Sequence, residues 1–178
     1  MRKKLKWMLV VSNVILGATL SVGSVQATPA SGFTGTTIVS GRFEDFDVQN
    51  HALFPENLQT EFGNLWLSLQ RTKGPSDLYV QNNVWQLNGT TGWHTHPGHS
   101  LIIVTVGTVT YYEGDDPTCT PHVIAAGTAN NTFVDRGGDH VHLVRNEGDV
   151  VAVGIAVQLV QAGAVRRIDA DANPDCGF

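Results

Sequence analysis

Histidine is the residue type whose placement in this chain points most clearly to chemistry. Of seven histidines, five fall in two short stretches: GWHTHPGHS, Gly92–Ser100, and DRGGDHVHLVRN, Asp135–Asn146. Within each stretch two histidines are separated by one residue, His94 with His96 and His140 with His142. On a β-strand, residues i and i+2 project from the same face. Imidazole is a neutral nitrogen donor suited to Zn, Cu, Fe and Ni. Two such pairs on adjoining strands would converge on one divalent transition metal. The competing reading is two solvated or hydrogen-bonded His-x-His pairs that hold nothing.

The elements that must position these residues read as β throughout. Helical periodicity is almost absent beyond the N-terminus, and short strand-like segments alternate with turn residues. The expected strands are Thr36–Phe43, Leu65–Leu69, Leu78–Leu87, Leu101–Val106, Thr108–Tyr112, His122–Ala125, Thr132–Val134, His140–Arg145 and Val150–Leu159. Between them lie NGTTG, EGDDP, DRGGD and NEGD, which are turn chemistry. A hairpin is expected at Gly107-Thr108, and Pro29–Gly35 reads as a loose lead-in. About nine short strands at close spacing imply a sandwich or barrel.

Residues 1–27 have the three parts of a secretory signal peptide. Arg2, Lys3, Lys4 and Lys6 are basic, Met8–Leu20 is apolar, and Val25-Gln26-Ala27 offers a small-residue cleavage site. The apolar run is short for ~30 Å of hydrocarbon, and Asn13 interrupts it, so no stable membrane insertion is expected after processing. The remaining residues, 28–178, are expected to form one domain of 178 − 27 = 151 residues, secreted or otherwise extracytoplasmic. All 16 acidic residues lie in that part and four of the 11 basic ones do not, which leaves 7 − 16 = −9. Such a charge argues against nucleic acid and anionic lipid as partners. In an oxidising compartment the only two cysteines, Cys119 and Cys176, are expected to form a disulfide worth about 3–5 kcal/mol on the chain-entropy model. Thiolate ligation of a metal is the weaker alternative, since C-x-x-C spacing is lacking.

The stretch Gly92–Gly107, GWHTHPGHSLIIVTVG, resembles the first motif of the cupin superfamily, G-x5-H-x-H-x3-4-E-x6-G. His94 and His96 take its two His positions and Gly107 its closing Gly. The end of the second cupin motif, H-x3-N, is matched by His142 and Asn146. The likeness is to small secreted single-domain metallocupins. It implies an all-β cupin double-stranded β-helix, the jelly-roll barrel. It also implies a divalent transition metal (Fe, Zn, Mn, Ni or Cu) held by His94, His96 and His142, with His140 as a fourth ligand or pocket lining. Two departures stand out. Ser100 occupies the position of the motif's Glu ligand, and the second motif lacks its Pro. Without that Glu, three neutral imidazoles leave a divalent ion its full charge. The site should then favour an anionic ligand and acidify bound water, to a pKa of about 7 if the ion is Zn.

Several other residues admit two readings. Ser100 would orient a water, and Ile102 and Val104, of the same parity, either line the pocket or fill the core. His99 is a surface loop residue or a proton shuttle at the pocket mouth. Trp93 and Tyr111 read as core, Glu113–Asp116 as a solvated turn, and Arg166-Arg167 as too small a basic patch to interpret. Neither a nucleophile elbow nor a phosphate loop is present. Three functions remain open. One is a metal enzyme acting on a small anionic molecule, since three-His cupin sites resemble those of thiol and diketone dioxygenases. Another is a non-catalytic module that binds a small molecule or the metal, and the third is a metal-free structural jelly roll. A homodimer through sheet edges is a further expectation.

Overall fold

The computed structural model describes residues 28–54 and 63–178; the signal peptide expected over 1–27 lies outside them. Every regular element described is a strand. In chain order they are β1 (Ser31–Phe43), β2 (Asp47–Leu53), β3 (Leu65–Arg71), β4 (Ser76–Thr90), β5 (His94–Thr95) and β6 (Ser100–Val106). There follow β7 (Thr108–Glu113), β8 (His122–Ala125), β9 (Thr132–Asp135), β10 (His142–Arg145), β11 (Ala152–Gln161) and β12 (Ile168–Asp169). Ten strands make one antiparallel sheet, ordered β12-β5-β10-β4-β11-β6-β9, with β1 added on β4, and β7 linking β10 to β8. The sheet rolls into a nearly closed barrel. β2 and β3 pair separately, and the Leu53, Leu65, Leu67 and Leu69 side chains they share on one face are exposed.

Period-two patterning explains which residues turn inward. Along β11 burial alternates strictly, and Ala152, Gly154, Ala156, Gln158 and Val160 face in, as a half-buried strand requires. The apolar run of β6 also alternates: Ser100, Ile102 and Val104 are buried while Leu101 and Ile103 are about half exposed. One core cluster joins Trp85, Val104, Val109, Tyr111, Ile124, Val144 and Ala152 across both walls of the barrel. A second joins Trp93, Tyr112, Leu143 and Cys176 beneath the first histidine stretch. Cys119 and Cys176 are bonded, with Cα atoms 5.3 Å apart. The Asp116 carboxylate accepts from the Thr118 and Thr120 amides, and the Asn173 amide donates to the Glu113 and Asp116 carbonyls. The acidic turn is thus a pinned loop that anchors the C-terminal tail.

Three expectations are corrected. The hairpin at Gly107-Thr108 does not form, because β6 pairs with β11 and β9 whereas β7 pairs with β10 and β8. Gly107 is instead a corner between the walls. Its φ is +68°, and a Cβ there would lie 2.9 Å from the Val151 carbonyl oxygen, so the sharp bend needs a glycine. The lead-in Pro29–Gly35 is largely strand, since β1 begins at Ser31 and Phe33 pairs with Trp85. Finally, β10 starts at His142 and not at His140. Gly137 and Gly138 both have positive φ, the His140 amide donates to the Gly137 carbonyl, and this tight turn keeps His140 off the strand.

Candidate metal centre

Glycine geometry places each histidine. Gly92 has φ +66°, and a Cβ there would run into the Thr28 carbonyl. The chain therefore turns tightly into β5, and His94 Nδ1 donates to the Gly92 carbonyl at 2.9 Å. His96 Nδ1 donates in the same way to the Arg166 carbonyl. A carbonyl oxygen only accepts, so each Nδ1 carries the proton and each Nε2 keeps its lone pair. His142 lies directly opposite His94 in the β5–β10 pairing, and the Tyr111 ring stacks on it at 5.5 Å.

The three rings meet. Centroids are 4.3 Å apart for His94 and His142, 4.8 Å for His94 and His96, and 5.5 Å for His96 and His142. One ligand atom from each lies within 4.8 Å of the others. His94 and His142 are 4% and 3% exposed. Burial pushes the His94 imidazole far below its ordinary pKa, with neighbouring imidazoles and Arg167 adding to the effect. Burial likewise lowers His142 to about 4, although the Asp135 carboxyl opposes the shift. Both are therefore neutral at pH 7, which is the state that binds a metal.

The donor set fits a divalent ion. Nitrogen ligands about 2.1 Å from a common ion stand within ~4.2 Å of each other, so only a small closure is required. His142 Nδ1 is buried without a hydrogen-bond partner, a costly state that a ligand or a rearranged neighbour would relieve.

Asp135 completes the cluster, and the sequence reading missed it. It is 1% exposed, with Oδ2 3.4 Å from His96 Nε2 and Oδ1 3.5 Å from His142 Nδ1. Ser100 Oγ donates to Oδ2 at 3.2 Å and the Gly137 amide to Oδ1 at 2.9 Å. Ser100, in the Glu position of the motif, thus faces a carboxyl on the neighbouring strand. The available signal was the place of Asp135 just before the Gly137-Gly138 turn.

These residues line one end of a cavity of about 270 Å³. Ser100 and Ile102 line it as expected. Val104 instead packs in the core with Trp85 and Val109. His140 is not in the cluster: its side chain is 37% exposed and its nearest charged partner is Asp139 at 4.0 Å. His99 is not part of the wall. Arg166 and Arg167 both line the cavity, so that pair has a place in the site after all. Arg166 Nε donates to Gln158 Oε1 at 2.9 Å, and its guanidinium lies 3.9 Å over the Tyr79 ring.

No family model matches the chain, and no curated protein matches it. Among solved structures it is similar to a cupin-like protein from Thermotoga maritima, at 23% identity and TM-score 0.44, over 53% of this chain and 65% of that one. It is similar to an oxalate oxidase at 21% identity and TM-score 0.38, over 48% and 46% of the two chains. A predicted oxalate decarboxylase from Thermotoga maritima matches at 16% identity and TM-score 0.38, over 49% and 83%. The chain thus spans less than two thirds of the first two. Its own strand order makes it a nearly closed antiparallel β-barrel in which the two histidine stretches face each other across β5 and β10.

Proposed function

We propose that this protein binds a divalent transition metal through His94, His96 and His142 and presents it to a small anionic molecule in the cavity. The observation that carries this reading is the convergence of three imidazoles within 4.8 Å, two of them fully buried and one half-buried. The Nε2 atoms of His94 and His96 are oriented by their backbone bonds, as metal-ligating imidazoles generally are. When bound, the ion would act as a Lewis acid toward the anion.

The chain's own residues would do the rest. Asp135 supplies a carboxyl beside the ion, 3.4 Å from His96 Nε2 and 3.5 Å from His142 Nδ1. Arg167 adds positive charge from the cavity wall it shares with His94 and His142. Phe33, Ile102 and Phe133 keep that wall apolar, which strengthens charge interactions inside it.

Turnover on the anion, as in a metal-dependent oxygenase, is one reading of this arrangement. Capture without turnover is the other, favoured by the lack of a further acid or base in the wall. The disulfide, and the lack among the described residues of a helix able to cross a membrane, support an extracytoplasmic location. The test is to strip the protein with chelator, restore Fe(II), Mn(II) or Zn(II) singly, and measure melting temperature and oxygen uptake with a panel of small carboxylates, thiols and enolisable diketones. The reading expects a metal-dependent rise in melting temperature that an anion increases further. Oxygen uptake would select the enzyme. Unchanged melting with every metal would overturn the proposal.

A further inference from the structure

Away from the metal centre, the outer face of the wall β1-β4-β11-β6-β9 lacks the polar residues that water requires. One row of directly paired residues crosses all five strands: Val39, Val80, Val157, Leu101 and Val134. These side chains point outward, because Gln81, Ala156 and Ile102, the next residues along three of the strands, line the cavity inside and successive residues alternate faces. The adjacent row sets Ile155 and Ile103 beside Thr36, Asn82 and Thr132. Neither row holds a charged residue. Val39, Leu101, Ile103 and Val134 are each about half exposed. An antiparallel sheet with one face in water normally turns polar residues to that face, and this wall is apolar on both.

The β2–β3 hairpin carries a second apolar surface. Leu53, Leu65, Leu67 and Leu69 share one of its faces, and all four are exposed. Among the described residues, β2 and β3 pair with each other and with no other strand. A lone two-stranded hairpin is marginally stable at best in water, so this one gains from a surface to lie on. Its two ends join β1 and β4 through residues 44–46 and 72–75. The hairpin is therefore an arm growing out of the same wall whose outer face is apolar.

We propose that two copies of this chain pair reciprocally, the leucine face of each hairpin lying on the outer wall of the other copy. A two-fold axis then makes the two contacts identical. A Val, Leu or Ile side chain hides ~100 Å² when fully buried, so the half-exposed ones on wall and hairpin offer roughly 400 Å² of apolar surface per copy. At the usual non-polar share of an interface this corresponds to ~700 Å² per partner, close to the ~800 Å² of a standard stable complex. Charge also favours a second copy. The chain is net acidic, and a basic partner would seek its carboxylates, whereas both rows of the wall are neutral. This inference stands independently of the metal reading.

The test is sedimentation velocity of the purified protein over a concentration series, with far-UV circular dichroism to check folding. Wild type is expected to sediment as a dimer at micromolar concentration. A wall variant, Leu101→Glu with Val134→Glu, and a hairpin variant, Leu67→Lys with Leu69→Lys, should each raise the dissociation constant about tenfold or more. All four positions are exposed, so the folded monomer is kept; Leu101→Gln and Leu67→Gln carry the test if a charged variant does not fold. Mixing the wall variant with the hairpin variant should restore the dimer. One contact then joins an intact hairpin to an intact wall, and the other sets Lys against Glu. A wild type that stays monomeric throughout the series would overturn the inference. So would variants that dimerise as wild type does, or a mixture that remains monomeric.

Discussion

Ser100 on β6 and Asp135 on β9 stand directly opposite one another, and the Ser100 hydroxyl donates to Asp135 Oδ2 at 3.2 Å. Ser100 holds the position where the cupin motif has its Glu. The carboxyl is therefore present in the site but projects from the next strand. A buried acid 3.4 Å from His96 Nε2 would add negative charge beside a bound cation.

Asp135→Asn tests this relationship. The substitution preserves shape but removes the charge, and the expected loss in metal affinity is about 10–100-fold, measured by competition with a chromogenic chelator. Ser100→Ala removes only one hydrogen bond to Asp135 and should cost much less. Equal affinity in wild type and Asp135→Asn would show that the carboxyl plays no part in holding the ion.

The metal-free protein should lose stability on acidification. The folded-state pKa of His142 is depressed to about 4 by burial, against about 6.5 unfolded. The unfolded chain therefore binds more protons between these values, and stability rises with pH across that window. Its contribution is in full above pH 6.5 and is lost as pH falls toward 4. The loss from His142 alone is about 3 kcal/mol, and His94, also depressed, extends it to lower pH. Urea denaturation of the chelator-treated protein at pH 7, 5.5 and 4.5 reads the effect. A flat profile would contradict the buried, neutral state of these rings.

The disulfide should matter for stability and for the site. Its ends are 57 residues apart, which corresponds to about 4 kcal/mol on the chain-entropy model. Cys176 packs in the cluster that holds Trp93, next to His94. Cys176→Ser is expected to lower the denaturation midpoint by that order and to weaken metal binding modestly. A midpoint unchanged by the substitution would show that the tail contributes nothing to the fold.

The sequence was most informative where residue type and local period decide structure. Alternation along Val150–Leu159 identified β11, and the span His122–Ala125 is β8 residue for residue. The three histidines that meet were legible from the cupin motifs. Pairing partners were not, because a Gly-Thr turn looks alike whether it closes a hairpin or carries the chain from one barrel wall to the other. His140 was misplaced because parity was counted through a turn with two left-handed glycines. Asp135 and Arg167 were illegible because each matters through a neighbour distant in sequence, as Asp135 does through Ser100 opposite it.

The central claim is that three imidazoles hold one ion, and elemental analysis of the purified protein tests it most directly. Wild type and His122→Ala, an exposed position outside the cluster, should each carry about one equivalent of a transition metal after dialysis against trace-metal buffer. His94→Ala and His142→Ala should each carry little. Equal metal content in all four proteins, or none in wild type after reconstitution, would contradict the account.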